Sequence, residues 1–189
     1  FDAGTDTEDL VVGVLSAYAD PENLALAASK LSKIKPDIFA SGDHASCIIA
    51  GADGEHAMAR AVQKATGVSC ITIGKAIEDS LNFIKAEKIS VFSPYTENIT
   101  AQLIKSLELS GFSIIGQISK SADLEEEIGG KDPDYWWRSL IELVERNVIK
   151  PDAIVMAGGG VCFAALIERF EAETGVPLIT APGALMWST

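Results

Sequence analysis

The stretch Pro36-Asp37-Ile38-Phe39-Ala40-Ser41-Gly42-Asp43-His44-Ala45-Ser46-Cys47 has an echo at Pro151-Asp152-Ala153-Ile154-Val155-Met156-Ala157-Gly158-Gly159-Gly160-Val161-Cys162. Both open on Pro-Asp, continue as a short apolar run, reach a glycine and arrive at a cysteine. A second echo follows: Thr66-Gly67-Val68-Ser69-Cys70-Ile71-Thr72 against Thr174-Gly175-Val176-Pro177-Leu178-Ile179-Thr180. Each copy reads as strand, glycine turn, helix, Thr-Gly-Val and a second strand ending in Ile-Thr. Two matched segments in the same order predict two lobes related by a pseudo-dyad. Their glycine turns are expected to face one another across a shared small-molecule site.

The pattern between the echoes supports an α/β fold. Asp9 to Ala19 reads as a helix closed by Asp20-Pro21, and Pro21 opens a second helix with an apolar stripe from Leu24 to Ile34. Residues 51–66, 76–86, 96–110, 135–147 and 161–174 read as helices, with Gly111 as a C-cap signal. Residues 38–40, 68–73, 89–92, 112–118, 153–156 and 178–180 read as strands. The polar, acidic segment from Ser121 to Asp134 reads as a surface loop, and Glu125-Glu126-Glu127 as a solvated charge cluster. Short continuous apolar strands alternating with helices predict βαβ units and mainly parallel sheets, with ligands gathered at the C-terminal strand ends.

Of 189 residues, 48% are hydrophobic and 22% charged, which is a composition for a packed core. The net charge of −12 argues against a nucleic-acid partner, although local backbone N–H groups can still hold a small anion. No apolar run approaches the ~18 residues of a bilayer span. Three scattered cysteines, Cys47, Cys70 and Cys162, fit reduced thiols in a cytoplasmic protein better than a disulfide frame or a metal site. Phe1 in place of an initiator Met predicts a true beginning upstream.

With these features the sequence resembles the aspartate/glutamate racemase superfamily, in its maleate isomerase and arylmalonate decarboxylase branch. The resemblance is carried by the paired Pro-Asp strand turns and by Ser93-Pro94-Tyr95-Thr96-Glu97-Asn98 after a strand. It extends to the closing Gly175-Val176-Pro177-Leu178-Ile179-Thr180 and Ala184-Leu185-Met186-Trp187. It implies two pseudo-symmetric lobes, residues 1–86 with 182–189 and residues 87–181, each a short mainly parallel sheet flanked by helices. Residues 89–98 resemble the opening strand and loop of the second lobe. The matching strand of the first lobe is expected upstream of Phe1.

The resemblance also implies chemistry without a cofactor or metal on a small mono- or dicarboxylate, and a homo-oligomer is a possible assembly. In such enzymes cysteines at the glycine turns move a proton or attack a double bond, and hydroxyl and N–H donors hold the carboxylate. At those two positions this sequence has Asp43 and Gly158. Cys47 and Cys162 follow four residues later in each copy. Asp43 and His44 are therefore the first candidates for acid–base work, with Cys47 and Cys162 as displaced thiols. The plainer reading of Asp43 is a helix N-cap, and that of Cys47 and Cys162 is small buried residues.

Tyr95, Thr96 and Asn98, with the amides of Gly158, Gly159 and Gly160, are the expected carboxylate ligands. Cys70 reads as core, His56 as a solvated helix face, and Tyr135-Trp136-Trp137 as packing or interface. Two functions compete: an isomerase or lyase, with hydration or hydrolysis as a variant, and a non-catalytic carboxylate binder that kept the anion site.

Overall fold

The structure is a computed structural model that describes residues 7–120, 130, 132–160 and 164–189. The N-terminal part runs α1 (Thr7–Tyr18), α2 (Pro21–Leu31), a 3-10 turn (Ser32–Ile34), β1 (Phe39–Ser41), α3 (His44–Thr66), β2 (Cys70–Thr72) and α4 (Ile73–Phe83). The remainder runs β3 (Lys88–Ser93), α5 (Glu97–Leu109), β4 (Ser113–Ser119), α6 (Pro133–Arg146) and β5 (Ala153–Met156). A 3-10 turn (Ala164–Leu166), α7 (Ile167–Thr174), β6 (Leu178–Thr180) and α8 (Ala181–Ser188) complete it. The expected loop at residues 121–134 falls mostly outside the described residues, as does the start of the helix expected at 161–174.

All strand pairs are parallel, in a two-stranded sheet β1-β2 and a four-stranded sheet β4-β3-β5-β6. The two echoes fold alike down to register. Phe39, Ala40 and Ser41 pair with Cys70, Ile71 and Thr72, while their counterparts Ile154, Val155 and Met156 pair with Leu178, Ile179 and Thr180.

The repeated Thr-Gly-Val has a physical cause. Gly67 and Gly175 stand at the ends of α3 and α7 with φ of 76° and 63°, a left-handed conformation that favours glycine. Beside each, a threonine hydroxyl donates back into the helix, Thr66 to the Val62 carbonyl at 2.8 Å and Thr174 to that of Phe170 at 2.7 Å. The same oxygen accepts the next valine amide, Val68 at 3.1 Å and Val176 at 3.2 Å. The Pro-Asp signature works similarly in the second copy, where Asp152 Oδ2 accepts the amides of Glu87 and Lys88 at 3.0 and 2.8 Å and pins the start of β3. Those bonds hold its carboxyl below the usual range.

The larger sheet is covered on both faces, and its alternation sorts the side chains. Ile89, Val91, Ala153 and Val155 pack with Ile77 and Leu81 of α4 and Leu103 and Leu107 of α5. Phe92, Ile154 and Met156 pack on the opposite side with Trp136, Leu140 and Leu143 of α6 and Phe170 of α7. Trp136 lies edge-on to Phe92 with centroids 5.7 Å apart, so this part of the aromatic cluster is core. Arg169 sits over Trp137, 4.4 Å from its ring centroid. Helix α8 packs on α4, with Trp187 against Phe83 at 5.1 Å.

Two sequence expectations need adjustment. The helix expected from residue 51 begins at His44 and continues through a break at Gly51, whose φ of 64° and ψ of 179° are non-helical. Cys70 opens its strand half-buried instead of sitting in mid-core. His56 is exposed as expected, while its neighbour Glu55 is buried.

Candidate active site

Strands β1 and β5 belong to separate sheets, yet the glycine turns that follow them meet. Added to Gly159, a Cβ would lie 3.6 Å from the Gly42 carbonyl, which places the two backbones in near contact. A hydrogen bond joins the turns directly, from the Gly158 amide to His44 Nδ1 at 3.3 Å. Between them lies a cavity of about 360 Å³ lined by Gly42, Asp43, His44, Ala45, Tyr95, Gly158, Gly159 and Gly160.

Asp43 occupies the N-cap of α3, and its Oδ1 accepts the Ser46 amide at 3.2 Å. That is the plain structural role, and it leaves the half-buried carboxylate at the cavity wall. His44 is different from expectation. It is only 2% exposed, and burial alone brings its pKa from 6.5 to about 4. The ring is uncharged at neutral pH, and since Nδ1 accepts a hydrogen bond the proton resides on Nε2.

Tyr95 is presented by a hydroxyl network at the end of β3. Its amide donates to Ser93 Oγ at 3.3 Å, and its carbonyl accepts from Ser119 Oγ at 2.8 Å. Thr100 Oγ1 donates to Ser93 Oγ at 2.7 Å and completes the support. The ring meets His44 edge-on, centroids 6.2 Å apart at 73°. Sequence reasoning missed Ser93, Thr100 and Ser119; a run of hydroxyl residues around a strand end was their signal. Thr96 N-caps α5 and Asn98 is exposed in its first turn, and neither is among the residues lining the cavity.

The thiols stand apart. Cys162 lies outside the described residues. Cys47 is 1% exposed in the first turn of α3 and is not among the cavity-lining residues. Burial, then the nearby Glu55 carboxylate, pushes its thiol up, far from a neutral-pH thiolate. Glu55 itself, raised by burial, accepts the Lys75 amide at 3.3 Å and bonds from Thr72, Cys47 and Gly74. It thus caps the start of α4 from another helix. Among the described residues there is no group of three or more His, Cys, Asp or Glu side chains that could hold a metal ion, and no helix long and apolar enough to cross a membrane.

Residues 42–189 match the model of the arylmalonate decarboxylase family. The chain belongs to that family. Among curated relatives, a maleate isomerase of Geobacillus stearothermophilus is 29% identical over 114 residues, which are 59% of this chain and 43% of the relative. The chain therefore matches less than half of that relative's length.

Among solved structures, an arylmalonate decarboxylase variant with associated sulfate superposes with a TM-score of 0.82 at 20% identity, covering 89% of this chain and 72% of the other. A maleate isomerase variant of Pseudomonas putida S16, solved with maleate, gives 0.82 at 18% identity over 90% and 71%. These likenesses establish the two-lobe α/β fold of the arylmalonate decarboxylase family for this chain.

Proposed function

We propose that this arylmalonate decarboxylase family member is a cofactor-independent enzyme of isomerase or lyase type acting on a small mono- or dicarboxylate. The observation that carries the reading is the cavity of about 360 Å³ walled by both glycine turns and Tyr95. Its size suits a small organic acid. Gly159 and Gly160 carry no side chains and are exposed, so their amides are accessible to an oxyanion, and the Tyr95 hydroxyl supplies a further donor. Relatives solved with maleate or sulfate hold anions, which agrees with an anion cleft.

Asp43 is the proton carrier in this reading. In a decarboxylation, the bond from the α-carbon to the departing carboxylate breaks and carbon dioxide leaves. The electron pair passes into an enediolate held by the amides and Tyr95. Protonated Asp43 then delivers its proton to the α-carbon and takes another from water. A carboxyl group suits this when a bound carboxylate beside it and the loss of water on binding favour its neutral form. Activation of water by the Asp43 carboxylate gives the hydration or hydrolysis variant. The second reading, a carboxylate binder without turnover, is favoured by the absence of a thiol at either glycine turn position, Asp43 and Gly158.

Binding tests the proposal. Titration calorimetry with malonate and maleate should give binding, weakened in Tyr95→Phe by about 1–2 kcal/mol, the scale of a hydrogen bond to a charged group. Equal affinity in wild type and variant would remove Tyr95 from the site. Turnover of aryl- and alkylmalonates, maleate and aspartate separates enzyme from binder.

A further inference from the structure

The turn holding Gly158, Gly159 and Gly160 has no side chain of its own to stiffen it, and Gly158 adopts a φ of 99°. Three successive glycines have wide conformational freedom, so amides aimed at a ligand there need an outside support to stay aimed. The support visible is His44, 114 positions away in the chain, whose Nδ1 accepts the Gly158 amide. The imidazole is itself immobilised. It is 2% exposed, lies edge-on to Tyr95, and also borders a small cleft shared with Ile48 and Leu103. An uncharged ring has the lone pair that this bond requires, whereas an imidazolium would present a second N–H to Gly158 instead.

We infer that His44 is a positioning residue, a neutral acceptor that clamps the glycine turn of one lobe to the N-terminus of α3 and fixes where Gly159 and Gly160 present their amides. The same ring sets the pose of Tyr95 through its edge. His44 in this role moves no proton, which separates it from Asp43.

Two substitutions distinguish a clamp from a proton carrier. Asn places its Oδ1 where His carries Nδ1, whereas Gln places its Oε1 where His carries Nε2. The measurements are hydrogen exchange of the Gly158 amide by NMR and titration with malonate and maleate, on variants whose thermal unfolding shows them folded. His44→Asn should keep the Gly158 amide protected and hold affinity within about threefold of wild type. His44→Gln should speed Gly158 exchange and weaken binding, each by about tenfold, the worth of one lost hydrogen bond.

Unchanged Gly158 exchange in the Gln variant would overturn the clamp. So would tighter binding by Gln than by Asn, because that pattern assigns the work to Nε2. The affinity arm rests on the carboxylate reading of the cleft, but the exchange arm does not. If wild type binds neither acid, the carboxylate reading falls, and Gly158 exchange still decides the clamp.

Discussion

His44 is kept uncharged by burial, which makes it a source of acid sensitivity as well as a structural contact. In the unfolded chain it takes a proton near pH 6.5, but in the folded protein only near about 4. Between those values the unfolded state binds more protons, so stability must fall as the pH is lowered. The contribution is complete above about pH 6.5 and is lost progressively towards about 4. It amounts to about 2 kcal/mol by pH 5. Urea denaturation at pH 7.5 and pH 5 should show a larger loss for wild type than for His44→Asn, which cannot titrate. Equal losses would mean that His44 is as easily protonated folded as unfolded. The sequence located His44 through its place in the repeat but could not give its depth, because burial depends on which segments meet over it. Asp43 was legible as a helix N-cap, since that follows from local order alone.

Among the elements, α4 shows how a helix start can be satisfied from a distance. Its N-cap, Thr72, makes no side-chain capping bond, and Glu55 of α3 supplies the acceptor for the Lys75 amide instead. Gly74 lets this happen, because a Cβ there would overlap the Glu55 carboxylate. Gly74→Ala and Glu55→Ala should therefore each cost about 1–3 kcal/mol through the same broken cap. The double variant should cost little more than either alone, as read by chemical denaturation. Additive losses would show that the two residues act separately. Such long-range capping leaves no signature in a sequence window. The break at Gly51 was equally hidden, since the apolar positions on either side keep a helical spacing. By contrast β5 and β6 were read with their observed ends, because Pro-Asp, the glycine turn and Thr-Gly-Val punctuate them on both sides.

For the molecule as a whole, the internal repeat did most to reveal the architecture. Two chain segments that repeat in order fold into parallel pairs of equal register, and the helices that follow them, α4 and α8, pack together. We propose residues 1–86 with 182–189 as the first lobe and 87–181 as the second. What the repeat could not reveal is how the turns are joined, because Gly158 and His44 are unlike residues with no echo of one another. In our proposal Asp43, at the cavity wall, does the work given to a thiol in related enzymes, while Cys47 is not among the cavity-lining residues and burial pushes its thiol up. Turnover of alkyl- and arylmalonates and maleate by Asp43→Asn, set against a Cys47→Ser/Cys162→Ser double variant, tests this most directly. Asp43→Asn should lose at least the ~10² typical of a missing general acid or base, while the double cysteine variant keeps most of its activity. A dead double variant beside a normal Asp43→Asn would contradict the account and return the chemistry to the thiols.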